Sequence, residues 1–427
     1  MASMVEGSDS GADGVFSAVK ACPPDALLGL KVLYNNDPAD FKVDLTLGAY
    51  RTETGAPWPL PSVLEAERRI TSDPNYNHEY LPIDGSKEFQ ALTRELLFGA
   101  DCAALKEGRI ATAQALGGTG ALRLGFELLR KRDTGTGRGI VVYYPEQTWP
   151  NHPNVAREGS GPERVDLRTY RYYDTEKRQL DFNGLMEDLK AAPRGAVVLL
   201  HMCAHNPTGL DPTLDQWGQI KEAIKAGGLL PFFDNAYQGF ASGDLDADAA
   251  PLRLFMEGAG MEMLVAASFS KNMGLYNARC GALHVVTGSA ATAENVQSAL
   301  KGIARPMYSN PSAEGSAVAT MLLKGGSTDG LGAQWRSELK EMPARIGAMR
   351  TALRKALEDN GAPGDWSHIT TQRGMFSYTG LTKPQVLNLR SRHHVYMADS
   401  GRMSMSGVNS GNVEYIARAM ADVVSNP

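Results

Sequence analysis

Short apolar runs alternate with amphipathic segments along most of the chain. Six of the apolar runs have the length of buried strands: 139–144, 165–170, 196–201, 229–233, 263–268 and 280–286. Strands that alternate with helices predict an α/β fold with a mostly parallel sheet covered by helices. Open sheets of this kind bind ligands beyond the carboxyl ends of their strands, so functional residues are expected there.

One predicted helix lies between two of these strands. Thr213 and Gln216 form a capping box at its start, apolar residues recur on one face across 217–224, and 227–228 is a Gly-Gly pair that ends it. Strand, helix and strand together form a crossover unit of a parallel sheet.

The pattern changes in the C-terminal part, where fewer crossover units occur. Pro343 is expected to open a helix that Asn360-Gly361 closes, and a last amphipathic helix covers 413–424. We therefore predict a large domain over 58–340 and a smaller α/β domain formed by 15–57 together with 341–427.

The first fourteen residues, 1–14, are rich in Gly, Ser and Asp and are expected to form a flexible N-terminal arm. They lack the apolar core of a secretion signal and the Arg-rich face of a mitochondrial presequence. The four cysteines are scattered, which is typical of reduced thiols. These features predict a cytoplasmic protein.

Composition excludes two classes of partner. The chain of 427 residues is 43% hydrophobic and carries a net charge of −5, whereas nucleic-acid and anionic-membrane binding favour a basic face. No apolar run approaches the roughly eighteen residues of a membrane helix. A local basic pocket for a small anion remains compatible with this composition.

The most informative motif is Ser-Phe-Ser-Lys-Asn-Met-Gly-Leu-Tyr-Asn-Ala-Arg at 268–279. Lys271 follows the end of an apolar strand, where burial lowers the pKa of an amine and frees its lone pair for Schiff-base formation. Ser268, Ser270 and Arg279 are suited to binding a phosphate. Taken alone, a Ser-x-Ser-Lys string also fits a surface turn with a solvated lysine.

A second motif, Asp-Asn-Ala-Tyr-Gln-Gly-Phe at 234–240, directly follows the strand at 229–233. Asp234 can keep the nitrogen of a heterocyclic cofactor protonated, and Tyr237 can donate a hydrogen bond to the same ring. The alternative is that Asp234 caps the next helix and Tyr237 packs in the core.

Two further motifs carry candidate ligands. In the first, His201, Cys203 and His205 alternate as zinc ligands on a strand would, although no fourth ligand has a fitting spacing. Asn206 follows them in an Asn-Pro-Thr-Gly turn that can deliver its amide to a cofactor. In the second, 117–120 reads Gly-Gly-Thr-Gly before a helix over 121–130, which predicts a phosphate loop or a plain turn.

Together these strings resemble the aspartate aminotransferase family, class I of the fold-type I pyridoxal-phosphate enzymes, over nearly the full chain. The resemblance implies pyridoxal 5′-phosphate as cofactor and no metal. It makes Lys271 the Schiff-base lysine, with Asp234 and Tyr237 as further catalytic residues. The cofactor-binding residues that it implies are Tyr80, Gly118, Thr119, Trp149, Asn206, Asp234, Tyr237, Ser268, Lys271 and Arg279.

The resemblance also implies substrate contacts and a homodimer with shared active sites. Arg402, in Gly-Arg-Met at 401–403, would bind the α-carboxylate through a two-pronged pair, near the backbone of Gly48 and beside Trp149 and Asn206. Arg305 would cross the interface to the side-chain carboxylate, and Tyr80 would reach the partner's cofactor phosphate.

Three positions depart from the family pattern. Gly117 stands where Ser is usual, which removes one hydroxyl from the phosphate loop. Tyr308 replaces a usual Trp and Ser312 replaces a usual second Pro, and both changes can reshape the side-chain pocket.

The implied function is ping-pong transfer of the amino group between L-aspartate and 2-oxoglutarate, giving oxaloacetate and L-glutamate. A broad-specificity aromatic aminotransferase is the alternative within enzymes, and a catalytically silent binding protein of the same fold is the alternative outside them. A nucleotide-binding oxidoreductase is disfavoured, because Arg123 stands where the dinucleotide fingerprint needs its third glycine.

Overall fold

A computed structural model describes residues 15–17, 19–21, 25, 27–46, 48–132, 139–258, 260–324 and 330–427. The predicted arm at 1–14 lies outside them. The α-helices are α1 (Leu28–Asn36), α2 (Pro61–Thr71), α3 (Lys87–Phe98), α4 (Ala103–Lys106), α5 (Gly117–Arg130), α6 (His152–Ser160), α7 (Phe182–Ala191), α8 (Leu214–Gly227), α9 (Leu245–Met256), α10 (Ala290–Tyr308), α11 (Ala313–Lys324), α12 (Gly330–Asp359), α13 (His368–Thr371), α14 (Lys383–His393) and α15 (Val413–Ser425). The strands are β1 (Val43–Asp44), β2 (Ile110–Leu116), β3 (Ile140–Pro145), β4 (Val165–Tyr170), β5 (Tyr173–Asp174), β6 (Gln179–Leu180), β7 (Val197–His201), β8 (Leu230–Asn235), β9 (Met263–Ser268), β10 (Cys280–Val286), β11 (Phe376–Tyr378), β12 (Val395–Tyr396) and β13 (Arg402–Ser404).

A seven-stranded sheet forms the centre of the molecule, in the order β2-β10-β9-β8-β7-β3-β4. The pairs from β9 to β4 are parallel, and β10 runs antiparallel to both β2 and β9. Helices cover both faces, because alternate strand residues enter two separate apolar cores: Val198 and Leu200 of β7 enter one, Val197 and Leu199 the other. The predicted fold class is confirmed.

Two strand predictions need correction. Strand β2 was not predicted, because its sequence, Ile-Ala-Thr-Ala-Gln-Ala-Leu, lacks the β-branched and aromatic run that marks a buried strand. The strand at 165–170 has the predicted bounds but is not buried, since only Tyr170 of β4 is fully covered. The reason is its place at the edge of the sheet, where no strand of the described residues lies on its other side.

Two helix starts also differ from prediction. Helix α12 begins at Gly330 and continues through Pro343, which was expected to open it. Pro343 removes one backbone hydrogen bond, but buried residues such as Trp335 and Leu353 lie on both sides of it, and their packing sustains the helix. Helix α5 begins at Gly117 rather than at residue 121, so the Gly-rich segment is its first turn.

The segment before α2 joins the C-terminal part of the chain. Strand β1 pairs in parallel with β12, with Val43 opposite Val395, and Arg402 of β13 bonds to the Thr46 carbonyl at 2.9 Å. These contacts support the proposed smaller domain of 15–57 and 341–427, whose boundaries stay a prediction. Within the described ranges, no helix is both long and apolar enough to cross a membrane.

Candidate active site

A cleft opens at the carboxyl ends of the parallel strands, beside the first turn of α5, and encloses about 540 Å³ that is partly open to solvent. It brings together nine of the predicted residues: Gly118, Thr119, Trp149, Asn206, Asp234, Tyr237, Ser268, Lys271 and Arg279. Ser270, which the sequence indicated as a phosphate ligand, lines the cleft as well. Leu122 and Ala236 also line it and were not predicted, and His201 was predicted only as a metal ligand or a core residue.

Lys271 lies three residues beyond the end of β9, and its Nζ is 5.4 Å from the centre of the Tyr237 ring. Burial lowers the pKa of the Lys271 amine, and the nearby Arg279 charge lowers it further, while Asp234 opposes both effects. A larger fraction of the amine is therefore neutral at a given pH than for a solvated lysine, as nucleophilic attack on a carbonyl requires.

Asp234 lies on the neighbouring strand β8, and its Oδ2 is 2.9 Å from Nε2 of the buried His152. Burial raises the pKa of Asp234, but the hydrogen bond from His152 and the surrounding positive charge outweigh burial and leave the pKa below its ordinary value. The carboxylate therefore stays ionised. It does not cap the next helix, since Asp244 accepts the N-cap hydrogen bonds of α9.

Behind Asp234, hydrogen bonds connect His152, Thr148, His201 and the backbone N–H of Asn206, at 2.8, 3.0 and 3.4 Å respectively. Because Asn206 donates to Nδ1 of His201, the proton of that ring belongs on Nε2, which donates to Thr148. Thr148 then donates to His152, whose Nε2 proton points at Asp234. The chain fixes both histidine tautomers, and no isolated motif could have revealed it.

The zinc alternative finds no support among the described residues, which contain no group of three or more His, Cys, Asp or Glu arranged to hold a metal ion. His201 belongs instead to the hydrogen-bond chain behind Asp234. Burial lowers the pKa of His201 to about 3, so the ring stays neutral.

The opposite end of the cleft is suited to an anion. Gly118 and Thr119 lie in the first turn of α5, whose free N–H groups and dipole attract negative charge, and the Arg279 guanidinium lies against the same turn. Gly117 has φ +67°, and a Cβ there would lie 2.6 Å from Nη2 of Arg279. Arg279 also bonds to Ser270 Oγ at 3.3 Å.

Arg402 is buried beside the cleft. Its Nη1 is 3.4 Å from Asn206 Oδ1, its Nη2 donates to the Thr46 carbonyl at 2.9 Å, and its Nε has no hydrogen-bond partner in the part of the chain that the structure describes. Burial lowers the pKa of Arg402 to about 10, which leaves it charged at neutral pH. The backbone of Gly48 packs closely against the Phe376 ring, because a Cβ on Gly48 would lie 2.9 Å from that ring.

Two predicted residues do not reach this cleft within one chain. Tyr80 is 85% exposed, and Arg305, near the end of α10, is exposed as well. Both were predicted to act across a dimer interface, and the structure of one chain does not test that prediction.

The cleft matches the parts of pyridoxal phosphate one by one. A buried amine can bind its aldehyde, an ionised carboxylate can pair with its ring nitrogen, and a helix N-terminus with an arginine can hold its phosphate. The Nε of Arg402, which has no hydrogen-bond partner among the described residues, could bind a carboxylate. Fold and cleft together define the class of fold-type I pyridoxal-phosphate enzymes.

Comparison with known proteins agrees with this class. The sequence profile of the family described as "Aminotransferase class I and II" matches residues 41–420. A cytoplasmic aspartate aminotransferase from Oryza sativa subsp. japonica is 48% identical over 411 residues, which are 96% of this chain and 98% of that protein. The chain belongs to the class I and II aminotransferase family, as the sequence motifs predicted.

Solved structures are similar throughout. The aspartate aminotransferase from Saccharomyces cerevisiae cytoplasm superposes with a TM-score of 0.91 at 42% identity, covering 96% of this chain and 99% of that one. An aromatic-amino-acid aminotransferase from Burkholderia pseudomallei, described as covalently bound to pyridoxal phosphate, gives 0.90 at 40% identity, with 96% and 99% covered.

Proposed function

We propose that the protein is an aspartate aminotransferase, which transfers the amino group reversibly between L-aspartate and 2-oxoglutarate to give oxaloacetate and L-glutamate. The observation that carries the proposal is the single cleft in which Lys271, the Asp234–His152 pair and Arg279 meet, with Arg402 beside it. The aspartate aminotransferases among its relatives, such as the rice protein at 48% identity over nearly the full chain, support this choice of reaction.

The cleft offers groups that would hold the phosphate and the ring of the cofactor. Gly118, Thr119, Ser268 and Arg279 would bind the phosphate of pyridoxal 5′-phosphate, with Tyr80 added by a second subunit. Asp234 would hold the ring nitrogen protonated, while Trp149 would stack on the ring. Bound in this way, the cofactor withdraws electrons from the amino acid and makes its α-proton acidic.

Lys271 moves the proton. Its Nζ removes the α-proton of the amino acid and delivers a proton back during the second half of the transfer, and burial supports the first step by lowering the pKa of the amine. The flexible four-carbon stem lets one amine serve both positions. Tyr237 and Asn206 would donate hydrogen bonds to the phenolic oxygen of the cofactor and hold its ring in register with Lys271.

Two arginines would bind the two carboxylates of the substrate. Arg402 would bind the α-carboxylate, and its hydrogen bond to Asn206 ties substrate orientation to cofactor orientation. Arg305 of a second subunit would bind the side-chain carboxylate, so the enzyme would work as a homodimer with shared sites. The cytoplasmic aspartate aminotransferases among its relatives support a cytoplasmic location, although chloroplastic and mitochondrial relatives also occur.

The specificity is tested by steady-state kinetics with aspartate, glutamate, phenylalanine and tyrosine as amino donors. Arg305→Leu should reduce kcat/KM for aspartate by about 10² or more and that for phenylalanine far less, because an unpaired substrate carboxylate is costly. Equal losses of kcat/KM on both donors would favour the second candidate, a broad aromatic aminotransferase. The similarity to the Burkholderia aromatic enzyme supports considering this candidate.

A further inference from the structure

The turn that follows α10 has an unusual backbone. Ser309 has φ 68° and ψ −72°, and the N–H of Asn310 bonds to the Tyr308 carbonyl at 2.9 Å, which closes a three-residue γ-turn of the rare positive-φ type. This conformation is strained for a residue with a side chain and costs on the order of 1 kcal/mol or more. Glycine would adopt it more easily, so the serine side chain calls for an explanation.

The Ser309 hydroxyl joins two polar side chains. Its Oγ accepts a hydrogen bond from Nη1 of Arg305 at 2.5 Å and donates to Asn310 Oδ1 at 2.8 Å. Asn310 in turn donates from Nδ2 to the carbonyl of Leu81 at 2.7 Å. A continuous path of hydrogen bonds therefore runs from the Arg305 guanidinium to the backbone beside Tyr80.

The turn itself is fixed to the central sheet from both sides. The Tyr308 hydroxyl donates to the carbonyl of Gln114 at 3.1 Å, and the Gln114 side chain donates to the carbonyl of Ser312 at 2.8 Å. Gln114 lies on β2, which is hydrogen-bonded along its length to β10. Ser309 is thus a rigid acceptor rather than part of a mobile loop.

The hydrogen bond to Ser309 is the main side-chain contact of the Arg305 guanidinium among the described residues. Across the parts of the chain that the structure describes, no carboxylate lies within ion-pair distance of its guanidinium, and Ser309 Oγ is its one side-chain acceptor. A planar guanidinium grips a carboxylate with two parallel N–H groups only when its plane is set in advance. One acceptor on Nη1 sets this plane and leaves the other N–H groups free.

We infer that Ser309 is a specificity-determining positioning residue: its hydroxyl orients Arg305 toward the side-chain carboxylate of dicarboxylic substrates. This inference rests on the proposed function, in which Arg305 reads that carboxylate in the partner's site. In this role Ser309 would act through Arg305, so its removal should weaken binding of dicarboxylates and leave monocarboxylates unaffected.

The test measures dissociation constants of the pyridoxal-phosphate-loaded enzyme for two unreactive probes, succinate as a dicarboxylate and 3-phenylpropionate as a monocarboxylate. The variant is Ser309→Gly, which removes the hydroxyl and suits the positive φ, so folding is not at risk. We expect succinate to bind about tenfold more weakly and phenylpropionate to be unchanged. Ser391→Ala, an exposed serine on α14, is the control and should change neither constant.

Arg305→Leu and the double variant complete the cycle. If Ser309 acts through Arg305, Ser309→Gly adds no further loss of succinate binding once Arg305 is gone. A second outcome is that Arg305→Leu weakens binding of succinate alone, while Ser309→Gly weakens binding of both probes equally or of neither probe. That result would refute the role of Ser309 and leave the proposed function standing. If Arg305→Leu itself shows no selectivity, the proposed reading of the second carboxylate fails, and this inference fails with it.

Discussion

At the scale of single residues, the site depends on two groups whose charges are set by their surroundings. Asp234 and Lys271 come from adjacent parallel strands, β8 and β9, so their side chains emerge at the same edge of the sheet. Burial disfavours the charged form of both groups, yet the hydrogen bond from His152 holds the pKa of Asp234 below its ordinary value, while the pKa of the Lys271 amine is lowered. One environment thus supplies both a fixed anion and a free base.

The Asp234 carboxylate gives the first prediction at this scale. Asp234→Asn keeps the size of the side chain but removes the charge that holds the cofactor nitrogen protonated, so turnover should fall on the order of 10³-fold with the cofactor still bound. Activity assays and the visible absorbance of the purified variant check both points. Asp101→Asn, at a fully exposed aspartate, is the control. Normal turnover in Asp234→Asn would remove Asp234 from the mechanism.

The sequence predicted most of the residues that meet in the cleft. Asp234 follows an apolar run directly, and Lys271 and Asn206 follow theirs within five residues, so the end of each strand could be predicted from the pattern and the candidate side chain from its position. Thr148 and His201 could not be assigned in this way, because their role depends on hydrogen bonds between three separate segments.

At the scale of elements, the first turn of α5 shows how backbone geometry builds a binding site. Gly117 has φ +67°, and the space beside it is taken by the Arg279 guanidinium, 2.6 Å from where a Cβ would stand. A hydroxyl-bearing residue at this position would have to displace Arg279 or change the turn. The glycine therefore gives up one hydroxyl contact and lets Arg279 lie against the helix N-terminus.

Gly117→Ala tests that interpretation. The added methyl group should displace Arg279 and strain the turn, so the affinity for pyridoxal phosphate should fall about tenfold or more, measured as a dissociation constant by absorbance titration of the apoenzyme. Gly218→Ala on α8, where a Cβ meets nothing within 4 Å, is the matched control. Unchanged affinity in Gly117→Ala would mean that Arg279 does not depend on this close approach.

A second prediction at the element scale concerns His284 on β10, which is fully buried and bonded to Thr112 on β2 at 3.0 Å. Burial lowers the pKa of His284 to about 3, while the unfolded chain takes up the proton near pH 6.5. The stability due to the neutral ring is therefore complete above pH 6.5 and is lost as the pH falls toward 3, by up to about 1.4 kcal/mol per pH unit.

His284→Gln should weaken this pH dependence. Between pH 7 and pH 5.5, the free energy of unfolding in urea should fall by about 1 kcal/mol less in the variant than in the parent protein. Between pH 7.5 and pH 9 the two slopes should agree, which serves as the control. An identical acid slope in both proteins would show that His284 titrates with an ordinary pKa in the folded state.

The misassigned elements share a physical cause. Strand β2 is alanine-rich and was missed, Pro343 was taken as the start of a helix that passes through it, and β4 was predicted to be buried although it is an edge strand. In each case tertiary packing, rather than local propensity, decides the outcome.

At the scale of the whole molecule, the proposed active site requires two chains. Tyr80 and Arg305 are exposed in one chain but are joined through Asn310 and Leu81, so a partner would meet both on one connected surface. The sequence could predict a shared site only through family resemblance, because no pattern within one chain indicates which of its residues act in the active site of a second chain.

Hybrid dimers test shared sites directly. A Lys271→Ala chain mixed with an Arg305→Leu chain should regain activity on aspartate, because in half of all hybrid sites an intact lysine meets an intact arginine. Random reassociation should give about a quarter of the parental activity. Mixing the parent chain with the double variant Lys271→Ala/Arg305→Leu produces no such site in the hybrid and is the control. Failure of the first mixture to exceed its separate components would exclude sharing of Arg305.

The central claim is that one particular amine, Nζ of Lys271, bonds to the aldehyde of pyridoxal phosphate. Borohydride converts a lysine–aldehyde linkage into a stable secondary amine, and peptide mapping by mass spectrometry then locates it. We predict a single modified lysine, in the peptide that carries Ser270-Lys271-Asn272, and no modification in Lys271→Ala. A label on a different lysine, or an active enzyme with no label at all, would contradict the account.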